Sequence, residues 1–80
     1  MSMKFKVGDK IRVVSNYAHL RLVGEVYEIT EIDIFNGNVS YKYIRTKNVP
    51  TSDIHNREGG MNEKSMINFF VLDGEEEEML

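Results

Sequence analysis

Phe5-Lys6-Val7-Gly8-Asp9-Lys10-Ile11-Arg12-Val13-Val14 and, further on, Gly24-Glu25-Val26-Tyr27-Glu28-Ile29-Thr30-Glu31-Ile32 decide how this chain folds. In the first stretch Gly8-Asp9 predicts a tight turn, because glycine reaches backbone angles closed to other residues and aspartate bonds its own neighbouring backbone. Past that turn Ile11 and Val13 alternate with Lys10 and Arg12, the two-residue period of a half-buried strand. Phe5 and Val7 keep the same phase, so one apolar face and one basic face are expected. In the second stretch Val26, Ile29 and Ile32 recur every third residue, a spacing that by itself suits a helix. The β-branched content, the opening glycine and the lack of a capping serine or aspartate favour a long strand bent by a bulge near Tyr27. An amphipathic helix is the competing reading.

A Val-Gly-Asp turn (Val7-Gly8-Asp9) followed by Gly-x-Val-x-x-Ile-x-x-Ile from Gly24 to Ile32 resembles the opening of small SH3-like barrels, among them KOW-type modules and a group of small photosystem I proteins. The likeness covers roughly the first half of the chain. It implies an all-β fold, a small SH3-like barrel of about five short antiparallel strands, and leaves function open, since this barrel serves many unrelated tasks.

Downstream, Asn36-Gly37 between apolar residues predicts a hairpin, because both residues accept the positive φ of a type I′ turn. In the strand that follows, Val39, Tyr41 and Tyr43 share one face, and Ser40, Lys42 and Ile44 share the other. Residues 47–65 carry proline, paired glycines and many Asn, Ser and Asp residues, which predicts one long irregular loop, with a short turn of helix or an extra strand in part of it as the alternative. Met66-Ile67-Asn68-Phe69-Phe70-Val71-Leu72 is the last apolar run. It is expected to be a closing strand buried on both faces, with a helical turn from Asn62 to Asn68 as an alternative prelude, and in the barrel reading it pairs with the first strand. Its Phe-x-Leu-Asp ending is also similar to the photosystem I group. The domain is thus expected over 1–74, followed at 75–80 by an acidic, disordered tail of four glutamates with Met79 and Leu80.

The 80 residues form one small domain with no cysteine, which excludes a disulfide framework and any thiolate chemistry. The net charge of −3 divides into +3 over residues 1–47 and −6 over residues 48–80. No apolar run spans a membrane and no signal peptide opens the chain, so a soluble, cytoplasmic protein without a membrane partner is expected.

Candidate binding residues fall in two groups. Tyr17, His19 and Arg21 lie in the first long connection, which in SH3-like barrels contributes to binding surfaces; the alternative is a loop folded back by Leu20, Leu22 and Val23 with its polar side chains in water. Phe35, Tyr41, Lys42, Tyr43 and Arg45, with Lys47, interleave aromatic rings and cations as single-stranded nucleic-acid binders do. The same alternation is what a strand with an aromatic interior requires, and the low basicity favours that reading. Asp53, His55 and Glu58 offer too few converging ligands for a metal. Gly59-Gly60 lacks the Lys-Ser/Thr of a phosphate loop.

No catalytic constellation and no cofactor loop is present, so the expectation is a non-catalytic module that binds another protein, without cofactor or metal. Its small size and acidic end suit an accessory protein of a phage or mobile element, including an inhibitor of a host enzyme. A KOW-like nucleic-acid binder is the alternative.

Overall fold

The computed structural model describes residues 4–15 and 22–73. Its strands are β1 (Lys10–Val13), β2 (Val26–Phe35), β3 (Asn38–Lys47), β4 (Glu58–Asn62) and β5 (Phe70–Leu72), with one helical turn, α1 (Glu63–Met66), between the last two. They form a single antiparallel sheet in the order β4-β3-β2-β1-β5. The chain is a meander whose last strand returns beside its first, as the barrel reading expects.

The central hairpin follows from its turn. Asn36 at φ 51° and Gly37 at φ 78° supply the two left-handed residues that join β2 to β3 with matching twist. Each of these strands is ten residues long. Their register shifts at Val26/Tyr27, where the sequence places a bulge, and again at Ile29/Glu31. Such bulges bend a strand and raise its twist, and here they let Val26, Tyr27 and Ile29 all turn inward.

One packing distance shows how far the sheet curls. β3 and β5 are separated by β2 and β1, so in a flat sheet they would stand about 14 Å apart. Yet the Tyr43 and Phe70 ring centroids are 5.3 Å apart, and Tyr27 meets both, Tyr43 at 5.0 Å and Phe70 at 5.8 Å. The sheet therefore wraps its concave face around an aromatic core completed by Phe5, Ile11, Val13, Ile29, Val39, Tyr41 and Met66. Asn62 caps α1 by accepting a hydrogen bond from the Ser65 N–H at 2.8 Å, and the turn delivers Met66 into that core. Tyr41 keeps its hydroxyl partnered inside, donating to Glu63 Oε2 and accepting from the Phe5 N–H.

Three expectations are corrected. Val7 is exposed, because Lys6–Asp9 forms a turn, with the Asp9 N–H bonded to the Lys6 carbonyl and Gly8 at φ 92°, so strand phase starts only at Lys10. The irregular loop is confined to residues 48–57, because Glu58–Asn62 pairs with β3 and α1 follows directly. The final apolar run is not one strand buried on both faces. Met66 ends a helical turn, Ile67 is exposed, and only Phe70–Leu72 pairs with β1, Val71 and Leu72 staying half-buried. The expected disordered tail at 75–80 lies outside the described residues. Among the described residues, no helix is long and apolar enough to cross a membrane.

Candidate interaction site

The inward series of β3 runs Val39, Tyr41, Tyr43 and then Arg45, so alternation carries a guanidinium into the interior at one end of the molecule. Its counter-ion is Glu25, the residue just before β2. Arg45 Nη1 lies 3.1 Å from Glu25 Oε2, with both side chains about 1% exposed. Such burial removes two charges from water, and it is tolerated where hydrogen bonds satisfy the remaining valences.

Those bonds reach across the 48–57 loop. Arg45 donates through Nε to Asn48 Oδ1 at 2.6 Å, through Nη2 to the Asp53 carbonyl at 2.6 Å and through Nη1 to the Asn56 carbonyl at 3.3 Å. Glu25 accepts from the Leu22 N–H and the Tyr27 hydroxyl on Oε1, both at 2.9 Å, and from the Ser52 hydroxyl on Oε2. No buried side-chain nitrogen or oxygen among the described residues lacks a partner. Burial by itself pushes the Glu25 carboxyl up; the bonds from Leu22, Ser52 and Tyr27 and the charge of Arg45 outweigh it and hold the group below the usual carboxylate range.

The loop is a pair of turns shaped by this cluster. Val49 and Ser52 close the first, N–H of Ser52 to the Val49 carbonyl and N–H of Val49 to Ser52 Oγ, with Pro50 in the position its fixed φ favours. Asp53 opens the second by accepting the His55 N–H on Oδ1. Gly24 at φ 100° lets the approach to β2 pass Val49, whose Cγ1 would stand 3.1 Å from an added Cβ. The result is a fixed surface from which Ile54 projects, 65% exposed, with Val23 exposed on the neighbouring connection. Beside Ile54 a shallow depression is lined by Arg45, Thr46, Asn48 and Arg57.

Among the described residues the candidates do not converge. Tyr41 and Tyr43 are core residues, which removes them as stacking platforms, and Arg45 is spent on Glu25 and the loop. Lys42 points outward into an ion pair with Glu31 at 3.2 Å. Phe35 is exposed at the hairpin tip, the end of β3 opposite Arg45. Tyr17, His19 and Arg21 lie outside the described residues. Asp53 and His55 join through a backbone turn, and no group of three or more His, Asp or Glu converges as metal ligands among the described residues. Sequence reasoning missed Glu25, Asn48 and Ser52. The available signal was the phase of Arg45, which matches Val39, Tyr41 and Tyr43 and therefore calls for a buried acid. Comparison with protein-family models, with curated proteins and with solved structures finds no match.

Proposed function

We propose that this chain is a non-catalytic, cytoplasmic interaction module of SH3-like type that binds another protein through the end of the sheet formed by residues 22–25 and 48–57. The observation that carries the reading is the buried Glu25–Arg45 pair, whose hydrogen bonds go mainly to loop atoms. A buried ion pair adds little to stability compared with apolar residues of the same volume. Its effect here is to hold an exposed loop in one shape, and preorganisation of that kind strengthens binding by reducing the ordering cost. Ile54 and Val23 supply exposed apolar surface for such a contact.

The meander order and the helical turn before β5 support the SH3-like resemblance, and with it a binding role. The small size and acidic end support an accessory protein of a phage or mobile element acting on a host protein. The test is photo-crosslinking from position 54 in host cells, with position 42 as control. A protein crosslinked only from position 54, and lost from pull-downs with an Ile54→Asp chain of unchanged thermal stability, supports the site. Capture that survives both Ile54→Asp and Val23→Asp overturns it. A salt series with single-stranded and duplex oligonucleotides checks the nucleic-acid alternative, because phosphate contacts weaken as salt rises.

A further inference from the structure

We infer that the outer edge of β4 pairs with the same edge of a second copy of this chain. Two antiparallel β4 strands meet at Gly60 about a two-fold axis and join two five-stranded sheets into one. The contact uses neither Ile54 nor Val23, so it stands or falls apart from the partner site proposed at the loop end.

The edge is regular and faces away from the sheet. Among the described residues β4 is paired on one side only, to β3, and that pairing runs from Glu58 to Asn62 without a register shift. The Arg45 N–H donates to the Arg57 carbonyl at 2.7 Å, which makes residues 45 and 57 a hydrogen-bonded pair. By the alternation of an antiparallel ladder, Gly59 and Met61 also turn their N–H and C=O groups to β3, and the backbone of Gly60 faces the opposite side. Edge strands ordinarily discourage further pairing by shortness, proline, charge or bulges. β5, at the other edge of the sheet, has three residues. β4 has five, with no proline or bulge and with Glu58 as its one charge.

The paired glycines and the charges suit a copy of the same strand. Neither Gly59 nor Gly60 takes a positive φ, and glycine inside a strand often marks the close approach of another backbone. At Gly60 one such backbone is β3, since an added Cβ would stand 3.0 Å from the Tyr41 carbonyl oxygen. With the axis at Gly60, Gly59 stands opposite Met61 of the second copy and leaves room for its half-buried side chain, while Glu58 stands opposite Asn62. One step outside the strand, Arg57 stands opposite Glu63. Within one chain these two lie at the two ends of β4, about 20 Å apart at roughly 3.3 Å per residue. A second copy brings them together, and the symmetry does so twice. From residue 57 to residue 63 no like charges face each other, a self-complementarity that favours a second copy over a foreign strand.

An edge of five residues buries less than a standard interface, so the association is weak and grows with concentration. The amide signals of residues 58–62 are expected to shift as concentration rises, and those of β1 to stay in place. Arg57→Glu should reduce the association at least several-fold, and Ile54→Asp should leave it unchanged. The chain has no cysteine, so Gly59→Cys and Met61→Cys chains can be oxidised separately and as a mixture. Opposed residues of a non-hydrogen-bonded pair have Cα atoms about 4.5 Å apart, within reach of a disulfide. The mixture should therefore give crosslinked dimer several-fold faster than either chain alone. Amide positions that do not depend on concentration overturn the inference. So does crosslinking no faster in the mixture than in the single chains, an association that survives Arg57→Glu undiminished, or one that Ile54→Asp abolishes.

Discussion

At the scale of single residues, Arg45 shows how one position can serve the core and the surface together. Its aliphatic stem continues the inward face of Tyr43, and its guanidinium ties Glu25 to the 48–57 loop. Removing it strands a buried carboxylate and two loop carbonyls. Arg45→Met is therefore expected to cost about 3–5 kcal/mol by urea denaturation, a large share of the roughly 4–12 kcal/mol typical of a domain this size. Lys42→Met breaks only the exposed pair with Glu31 and should cost at most about 1 kcal/mol. The double change Glu25→Leu with Arg45→Met should not restore stability, because the Asp53 and Asn56 carbonyls still lose their donor.

Titration follows from the same atoms. The Glu25 carboxyl is held below its ordinary value of 4.5, so folding favours its ionised form. That contribution is complete above the ordinary value and disappears as pH falls through the lowered one. Glu63 behaves alike: the Tyr41 hydroxyl and the Lys4 N–H lower its carboxyl. Thermal melts should thus fall steeply on acidification below about pH 4.5, and Glu25→Gln should flatten that fall while lowering stability at neutral pH.

Among the elements, the turns discriminate most sharply. Gly8 and Gly24 both hold positive φ, at 92° and 100°, but an added Cβ meets nothing at Gly8 and meets Val49 Cγ1 at 3.1 Å at Gly24. Gly8→Ala should therefore cost roughly 1–2 kcal/mol of backbone strain alone. Gly24→Ala should cost more in the same denaturation measurement and also disturb the amide signals around Val49. β5 contributes Phe70, which meets Tyr27 and Tyr43 across the curled sheet. Phe70→Ala is expected to cost about 3–5 kcal/mol, because the surrounding rings cannot collapse into the space.

For the whole molecule, the single curled sheet makes protection uneven. The paired amides of β1, β2 and β3 enclose the core and should exchange with solvent only on global unfolding. Residues 48–57 owe their order to Arg45 and Glu25 more than to strand pairing. Hydrogen exchange is expected to show the Val49–Asn56 region opening at a lower free energy than the strands, and opening further in Arg45→Met while β2 and β3 keep their rank order. Equal protection of loop and strands would contradict the view that the ion pair is a separate, local latch.

Much of this architecture is legible in the chain itself. The alternation of Ile11 with Val13, the Asn36-Gly37 turn and the Val39-Tyr41-Tyr43 series determine three strands, because side-chain period and positive-φ preference are properties of a few adjacent residues. The pairing of β5 with β1 is expected of the closing apolar run, and the structure shows it over Phe70–Leu72. Tertiary structure alone decided what depends on residues distant in sequence: that Glu25 and Arg45, 20 positions apart, meet; that Gly59-Gly60 lies in an edge strand; and that Tyr41, Tyr43 and Arg45 are spent inside. Period tells which residues share a face, and only the curl of the sheet tells which face is enclosed.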